Sequence, residues 1–570
     1  MVKFPHLPEQ IFQKLDNISL FKCREVARSW ENIIGRRNYS WLRIVNIPTI
    51  LKNGNTYLHL AAKTGQIEAY KEALNEEEDK NIRNECDETA FNLACKNGRI
   101  EIVHLLLKSI DSQRNTNGIE LNQYHDIDLN AKNKNGYTAF HWTCIKGHSD
   151  ITELLIKNAA VLKMNLNDKT NSGKTVYHLA CQRGHLDVVK ILIQNASILS
   201  LDLNAKTKNG NTAFHWSCIE GQSEITRILM ENASVLSIDL NMKTKKGQTA
   251  FHLACGKGHA NMVKIFIENA KALSIDLNEI DYDNLTGFHY ACEKGHSVVV
   301  KILMKNAAVL GIDLNAKRLT AFHLACQKGH SDVVNIFMKN AAALKIDLNT
   351  KTKRGQTAFH LACRRGYSDV VKILMKNAAN IDINTKCSDY DSTGFHMACE
   401  RGHSYVIKTI LENAHASNLD LNAKDCFSLT GFHHACKNGH SDLVQIFMEN
   451  AAALNNDLNI MDKNGGSTGF HYACERGHSD VVKIFMENAS ILNLNLNVKS
   501  KYGNQNTGFH WACLSGHKNI VELMLKNSKN LDLDLKSINY FGNTGFQIAK
   551  IYRRTSVVKL IKLKMPNIAC

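Results

Sequence analysis

Proline is almost absent from this chain. Its 570 residues contain only four prolines, at positions 5, 8, 48 and 566. The stretch 49–565 has none, which excludes a string of separate domains joined by Pro-rich linkers. We therefore expect one continuous architecture to fill that stretch.

The chain also lacks long apolar runs and a strong excess of one charge. No segment reaches the ~18 uncharged apolar residues of a membrane-spanning helix, and the first ten residues, MVKFPHLPEQ, lack the apolar core of a secretion signal. With 70 Lys plus Arg, 54 Asp plus Glu and 44% hydrophobic residues, the composition is that of a globular protein. It predicts a soluble protein inside the cell, in the cytoplasm or the nucleus.

What the chain does have is a repeat. The fragment Thr-x-Phe-His-x-x-Cys, or a close variant, occurs fourteen times with a mean spacing of about 37.5 residues. Its leading threonines are Thr56, Thr89, Thr138, Thr175, Thr212, Thr249, Thr286, Thr320, Thr357, Thr393, Thr430, Thr468, Thr507 and Thr544. A period of this size predicts a solenoid whose units bury their apolar faces against one another.

One unit illustrates the predicted local structure. Thr212 is placed to cap a short first helix that carries Phe214 and Cys218 at helical spacing, and Gly221 ends it. A second helix with Ile225 on its apolar face follows, and then an extended return that closes in a Gly turn. The unit is helix, turn, helix and a hairpin-like finger.

These units resemble the ankyrin repeat, through the segments TAFHLAC, GHSDVVKI and IDLNAK. The resemblance implies an all-α ankyrin-repeat solenoid of about 14 repeats of ~37 residues over residues 50–570. Its first motif begins at 55, and a C-terminal cap covers about 543–565. The ankyrin pattern has a proline directly after the threonine of the first helix, and this motif proline is replaced here by Ala or Gly. The period is longer than that of the ankyrin repeat because of an NAxxLx stretch, which we expect to add about one turn to the second helix.

A small helical module is predicted before the array, over residues 4–45. Apolar residues recur there at three- to five-residue intervals, and the pattern Ser-Leu-x-x-Cys-x-x-Val-x-Arg-x-Trp begins at Ser19. This pattern resembles the F-box. The residues that the resemblance assigns to adaptor binding are Leu7, Pro8, Ile11, Leu15, Leu20, Val26 and Trp30.

The F-box resemblance implies docking onto a Skp-family adaptor of a cullin-RING complex. The chain would then be the substrate-recognition subunit of an SCF-type ubiquitin ligase, acting by proximity and not by catalysis. One alternative is that residues 4–45 only cap the first repeat of a stand-alone interaction scaffold. Another is an anion-binding module, because residues 535–570 contain seven basic and no acidic side chains.

Cysteine and histidine are abundant, but their pattern predicts neither a metal site nor a catalytic site. Twelve of the 17 cysteines, from Cys95 to Cys513, occupy one position of the first helix, where we expect buried thiols. The recurring His-x-x-Cys-x-x-x-His pattern does not bring four ligands together, so its histidines are interpreted as hydrogen-bonding residues. No nucleophile with its base or phosphate-binding loop recurs. We predict no catalytic residue, no cofactor and no metal.

Substrate binding is predicted on the inner face of the first helices. The fourth residue after each capping threonine lies beside the last turn of that helix and is often aromatic. The residues predicted to contact a protein substrate are Trp142, Lys146, Trp216, Tyr290, Arg364, Arg365, Arg401, Tyr472, Arg476 and Trp511. Alternatively, the aromatic residues only replace the leucine of other copies in packing. Nucleic acid and membrane are not expected as partners, because the chain has no recognised motif for either.

Overall fold

The computed structural model describes most of the repeat array. The described residues are 54–76, 79–112, 127–197, 199–315, 319–451, 457–463, 466–501 and 504–566. The predicted module at 4–45 lies outside them, as do the adaptor-binding residues assigned to it. The chain divides into two compact units, one ending at Asn284 and the other beginning at Leu285.

The first unit contains six helix pairs among its described residues. Its helices are α1 (Tyr57–Thr64), α2 (Ile67–Glu76), α3 (Ala90–Lys96), α4 (Ile100–Ser112), α5 (Ala139–Lys146), α6 (Ser149–Asn158), α7 (Val176–Arg183), α8 (Leu186–Gln194), α9 (Ala213–Ile219), α10 (Ser223–Glu231), α11 (Ala250–Lys257) and α12 (Ala260–Asn269). Each pair packs on the next within the unit.

The second unit contains eight helix pairs among its described residues. Its helices are α13 (Gly287–Glu293), α14 (Ser297–Leu310), α15 (Ala321–Lys328), α16 (Ser331–Leu344), α17 (Ala358–Arg365), α18 (Ser368–Lys376), α19 (Gly394–Arg401), α20 (Ser404–Ser417), α21 (Gly431–Lys437), α22 (Ser441–Asn450), α23 (Gly469–Arg476), α24 (Ser479–Asn488), α25 (Gly508–Ser515), α26 (Lys518–Asn527), α27 (Gly545–Ile551) and α28 (Thr555–Lys564). The predicted all-α array of fourteen helix pairs is confirmed. Within the described ranges, no helix is long and apolar enough to cross a membrane.

A threonine and a histidine start nearly every first helix. In α7 the backbone N–H of Thr175 donates to Nδ1 of His178 at 3.2 Å, and the Thr175 hydroxyl lies 2.8 Å from the same nitrogen. Because Nδ1 accepts, the ring proton lies on Nε2, which donates to the Asn211 carbonyl of the next repeat at 3.1 Å. The predicted N-cap is therefore confirmed, and the same histidine joins two repeats.

The first helices meet the second helices through a core of Phe, Ala and Cys. The twelve motif cysteines are all buried, as predicted. Burial raises the pKa of thiols such as Cys95, Cys144 and Cys181, because the thiolate loses its hydration. These cysteines pack as small apolar side chains.

Close packing between repeats explains why Ala or Gly replaces the motif proline. In α21 this first helical residue is Gly431. A Cβ atom there would lie 2.6 Å from a ring carbon of Phe395 and 2.8 Å from the sulfur of Cys399, both in the preceding repeat. A pyrrolidine ring needs more room than a Cβ atom, so proline at Gly431 would require these neighbours to shift.

The predicted lengthening of the second helix is correct for only some repeats. Helices α14, α16 and α20 continue for 14 residues through the inserted stretch. In the α10 repeat the helix ends at Glu231, and the insert forms a separate turn in which the Leu236 N–H donates to the Asn232 carbonyl. The turn ends at Ser237, whose φ is +52°. The insert therefore adds a turn without always extending the helix.

An asparagine side chain links each such turn to the repeat before it. The side chain of Asn204 donates from Nδ2 to the Ser237 carbonyl at 2.8 Å and accepts at Oδ1 from the Asp239 N–H at 2.9 Å. The same pair of bonds recurs in the second unit from Asn384. This arrangement explains the recurring Asp-Leu-Asn sequence, because the amide satisfies both backbone groups of the neighbouring turn.

The turn histidines, which follow the glycine at the end of a first helix, make a further link. This link runs to the preceding repeat. Nε2 of His259 lies 2.9 Å from the Ile219 carbonyl of the preceding repeat. Its ring lies so close to Gly221, whose φ is +73°, that a Cβ atom there would be 2.8 Å from Nδ1. In the last repeat Arg554 takes this position, and its Nε donates to the Leu514 carbonyl at 2.7 Å.

The finger tips are joined by backbone hydrogen bonds. Within one finger the Thr207 N–H donates to the Asn211 carbonyl at 2.9 Å, which closes the turn. The Lys208 N–H of that finger donates to the Ser172 carbonyl of the preceding one at 3.1 Å. The predicted hairpin-like finger is confirmed, and neighbouring tips are held in register.

Candidate protein-binding surface

The predicted inner-face residues differ in exposure according to their type. Leucine at this position is buried in most repeats, as at Leu179 and Leu361, whereas Leu253 is half-buried. The aromatic residues at this position are half-buried in both units: Trp142, Trp216, Tyr290, Tyr472 and Trp511. The larger side chains therefore fill the space of the leucine and also reach the surface.

Lysines from neighbouring segments cover two of the tryptophan rings. Nζ of Lys96 lies 4.1 Å from the ring centroid of Trp142 and 2.8 Å from Oε1 of Glu88. Tyr137 also contacts the Trp142 ring, at 5.3 Å between centroids. Contacts of a cation with an aromatic face are worth about 0.5–2 kcal/mol. The tryptophan is thus part of a mixed aromatic and charged surface.

Trp216 has the same kind of partner in the next pair of repeats. Nζ of Lys174 lies 3.8 Å from its ring centroid and 2.8 Å from Oε1 of Gln182. The Gln182 amide donates in turn to Glu220 at 3.1 Å. Partial burial lowers the pKa of Lys174, because the ammonium loses hydration there.

In the second unit, aspartates at the finger bases contact the inner-face residues. The hydroxyl of Tyr472 donates to Asp462 at 3.0 Å, and burial together with this carboxylate raises the pKa of the phenol. Nε2 of His434 lies 2.9 Å from Oδ2 of Asp425. These buried aspartates therefore hold the inner-face residues against the finger bases.

The predicted basic residues lie at the ends of the first helices. Lys146, Arg365, Arg401 and Arg476 are exposed, and Arg364 is half-buried. Among the described residues, none of these five side chains pairs with a carboxylate. Lys146 and Arg476 belong to the same first helices as Trp142 and Tyr472.

The residues that contact the predicted inner-face position were not among those predicted from the sequence. Lys96 and Lys174 come from the preceding repeat, and Asp425 and Asp462 from the finger base. Lys174 and Trp216 are 42 residues apart in the sequence, a little more than one repeat. A search for charged residues one repeat period before each aromatic could have found such pairs.

The His-x-x-Cys-x-x-x-His pattern does not converge in space. His178 binds its own threonine and the next finger, Cys181 lies in the core, and His185 binds the Ile145 carbonyl of the preceding repeat at 2.8 Å. In the part of the chain that the structure describes, no group of three or more His, Cys, Asp or Glu could hold a metal ion. The histidines act as hydrogen-bonding residues, as the sequence predicted, and the structure adds that they link repeats.

The last repeat carries the basic patch. Three of its basic side chains are already engaged: Arg554 with the Leu514 carbonyl, Lys564 with Glu522 at 2.9 Å, and Lys550 with the Phe546 ring at 4.6 Å. The others, including Arg553 and Lys559, are exposed. The repeat thus uses part of its charge for its own packing.

Comparison with protein families identifies the repeat. The model described as "Ankyrin repeats (3 copies)" matches overlapping stretches that run from residue 39 to residue 495, and the model "Ankyrin repeat" matches residues 504–536. Neither match is to a family of enzymes, and ankyrin repeats imply protein–protein interaction. No curated protein matches this chain.

Solved structures also match. One is the crystal structure of the ankyrin repeat domain of Bcl-3, described as a unique member of the IkappaB protein family. It is 20% identical, covers 44% of this chain and 99% of its own, and superposes with a TM-score of 0.37. Since the family models match most of the residues, the chain belongs to the ankyrin-repeat family.

Proposed function

We propose that the first-helix face of this chain recognises a protein substrate. The observation that supports this is the contrast at one position: leucine is buried there in some repeats, whereas tryptophan and tyrosine remain half-exposed in others. Because leucine is enough to fill this position in the repeats that carry it, the additional surface of the aromatic residues serves contact with another molecule. Aromatic residues beside arginine are the usual anchors of protein interfaces.

The test replaces the aromatic surface without disturbing the fold. Because leucine already occupies this position at Leu179, the triple variant Trp142→Leu, Trp216→Leu, Trp511→Leu should fold. Tyr405→Ala, on an exposed part of α20, is the matched control. In cross-linking with extracts of the source organism, partners should be lost in the triple variant and kept in the control. Identical partner sets for both variants would exclude this face.

A finer function is supported by the sequence alone. We propose that residues 4–45 act as an F-box that docks a Skp-family adaptor, so that the array presents its bound protein to a cullin-RING ubiquitin ligase. The support is the pattern that includes Leu20, Val26 and Trp30. The alternative is an interaction scaffold without a ligase role.

Adaptor binding separates these two functions. The full chain should bind a Skp-family adaptor in isothermal titration calorimetry, and Leu20→Ala/Trp30→Ala should abolish binding while the circular dichroism of the array is unchanged. A folded chain that binds no adaptor would leave the stand-alone scaffold as the function.

A further inference from the structure

Two neighbouring fingers of the second unit carry exposed aromatic side chains at their tips. Tyr390 is 65% exposed and Phe427 is 49% exposed. Their ring centroids lie 5.8 Å apart with an interplanar angle of 31°. The Cys426 N–H donates to the Tyr390 carbonyl at 2.9 Å, which holds the two fingers side by side. The rings thus form a paired aromatic surface, named here the finger-tip site.

The finger-tip site is not required for folding. Other fingers have polar residues at the same tips, for example Lys208 and Asn209 in the first unit or Lys353 and Arg354 in the second. They close the same turn and make the same links between fingers. Tyr390 is also held at a φ of +67°, a backbone conformation that bulky residues rarely adopt. Its exposed ring is therefore not explained by local packing.

The surroundings of the site are mainly basic. Arg354 of the preceding finger is exposed, and its guanidinium lies 3.7 Å from Asp389 at the base of the Tyr390 tip. The fingers at 351–356, 386–392 and 424–429 contain five basic and three acidic residues. One of the three, Asp425, is buried and bonded to His434. The accessible charge therefore favours an acidic ligand.

We propose that the finger-tip site binds a segment of the partner protein in which an apolar side chain is flanked by carboxylates. The apolar side chain would cover the rings of Tyr390 and Phe427, and the carboxylates would pair with Arg354 and its basic neighbours. Exposed aromatic rings beside an arginine give both the apolar area and the charge that such a segment needs. This inference rests on the proposed recognition of a protein, and it adds the chemical class of the partner segment.

The probe is a phage-displayed library of random peptides, selected on the immobilised full chain. The selected peptides are synthesised with a fluorophore, and their affinities are measured by fluorescence anisotropy. We expect the selection to enrich peptides that combine Asp or Glu with Leu, Phe or Trp. Tyr390→Ala/Phe427→Ala should weaken their binding about tenfold or more.

Two further variants test the charge and the specificity. Arg354→Glu should weaken binding and reduce its salt dependence, because an attraction to carboxylates is replaced by repulsion. Tyr405→Ala removes an aromatic side chain that is 79% exposed on α20 and should leave binding unchanged. Thermal unfolding should be the same for all variants, since every replaced side chain is exposed.

The outcomes separate this inference from the proposed function. Selection of no peptide, enrichment of peptides without acidic residues, or equal binding by the Tyr390/Phe427 variant would each overturn the finger-tip site. Acidic peptides that lose binding only in the triple tryptophan variant would also overturn it, while they would support recognition at the first-helix face.

Discussion

Acidification should destabilise the array through its buried motif histidines. Burial lowers the pKa to about 4 for seven of them: His141, His178, His215, His360, His396, His433 and His471. In the unfolded chain the same imidazoles have a pKa of about 6.5. Because the folded value is the lower one, the folded state is fully stable above pH 6.5 and loses stability as the pH falls toward 4.

The size of the effect follows from the difference between the two pKa values. Between pH 6.5 and 4, each histidine reduces the free energy of unfolding by about 1.4 kcal/mol per pH unit. At pH 5 this is about 2 kcal/mol for each one. The three such histidines of the first unit together give about 6 kcal/mol, which is comparable with the whole stability of a typical domain, about 5–15 kcal/mol.

The chain itself provides the control substitution. In the second repeat Asn92 replaces the histidine: its N–H donates to the Thr89 hydroxyl, and its Nδ2 donates to the Ala131 carbonyl at 3.2 Å. His178→Asn/His215→Asn should therefore keep the hydrogen-bonding geometry and remove two titrating groups.

The measurement is urea unfolding followed by circular dichroism, from about pH 7.5 to pH 5. The double variant should lose about 4 kcal/mol less stability over this range than the wild type. An unfolding midpoint that does not change with pH, or an equal loss in both proteins, would show that the buried imidazoles do not control acid stability.

Three further results are expected. Asn384→Ala should lower the free energy of unfolding by about 1–3 kcal/mol in urea titrations, because the Asn418 carbonyl and the Asp420 N–H both lose their partner. Gly431→Ala should lose about 1 kcal/mol although alanine favours helices, since the added methyl group meets the Phe395 ring; a more stable variant would contradict this packing. With Ellman's reagent, no more than the five cysteines outside the motif position should react before denaturant is added, because burial protects the other twelve.

Local features of the fold could be predicted because they depend on residues close in sequence. A threonine that caps a helix and a phenylalanine three or four positions from a cysteine are read from one unit alone, as at Thr212, Phe214 and Cys218. The length of the second helix could not be predicted in this way. The segment NAAVL continues the helix in α14 but forms a separate turn after α6, so the outcome depends on packing against the neighbouring repeats.

The links between repeats needed the structure, although their residues recur in the sequence. Asn204 and Ser237 are 33 residues apart, and nothing in either segment alone shows that one side chain satisfies the other's backbone. Such a link becomes visible in the sequence only when each polar residue is compared with the segment one repeat away. The asparagine and the turn histidine recur at the same position of each repeat because the backbone groups that they bind in the adjacent repeat recur as well.

The candidate binding residues were harder to predict, because their side chains differ from repeat to repeat. A side chain that serves packing between repeats must be compatible with identical neighbours, and therefore varies little along one chain. The fourth residue after the capping threonine varies between Leu179 and Trp216, and the finger tips vary between Lys208 and Phe427. Variation within one chain, at positions whose backbone geometry repeats, shows where packing imposes no single residue type. Those are the positions at which recognition of a partner can determine the side chain.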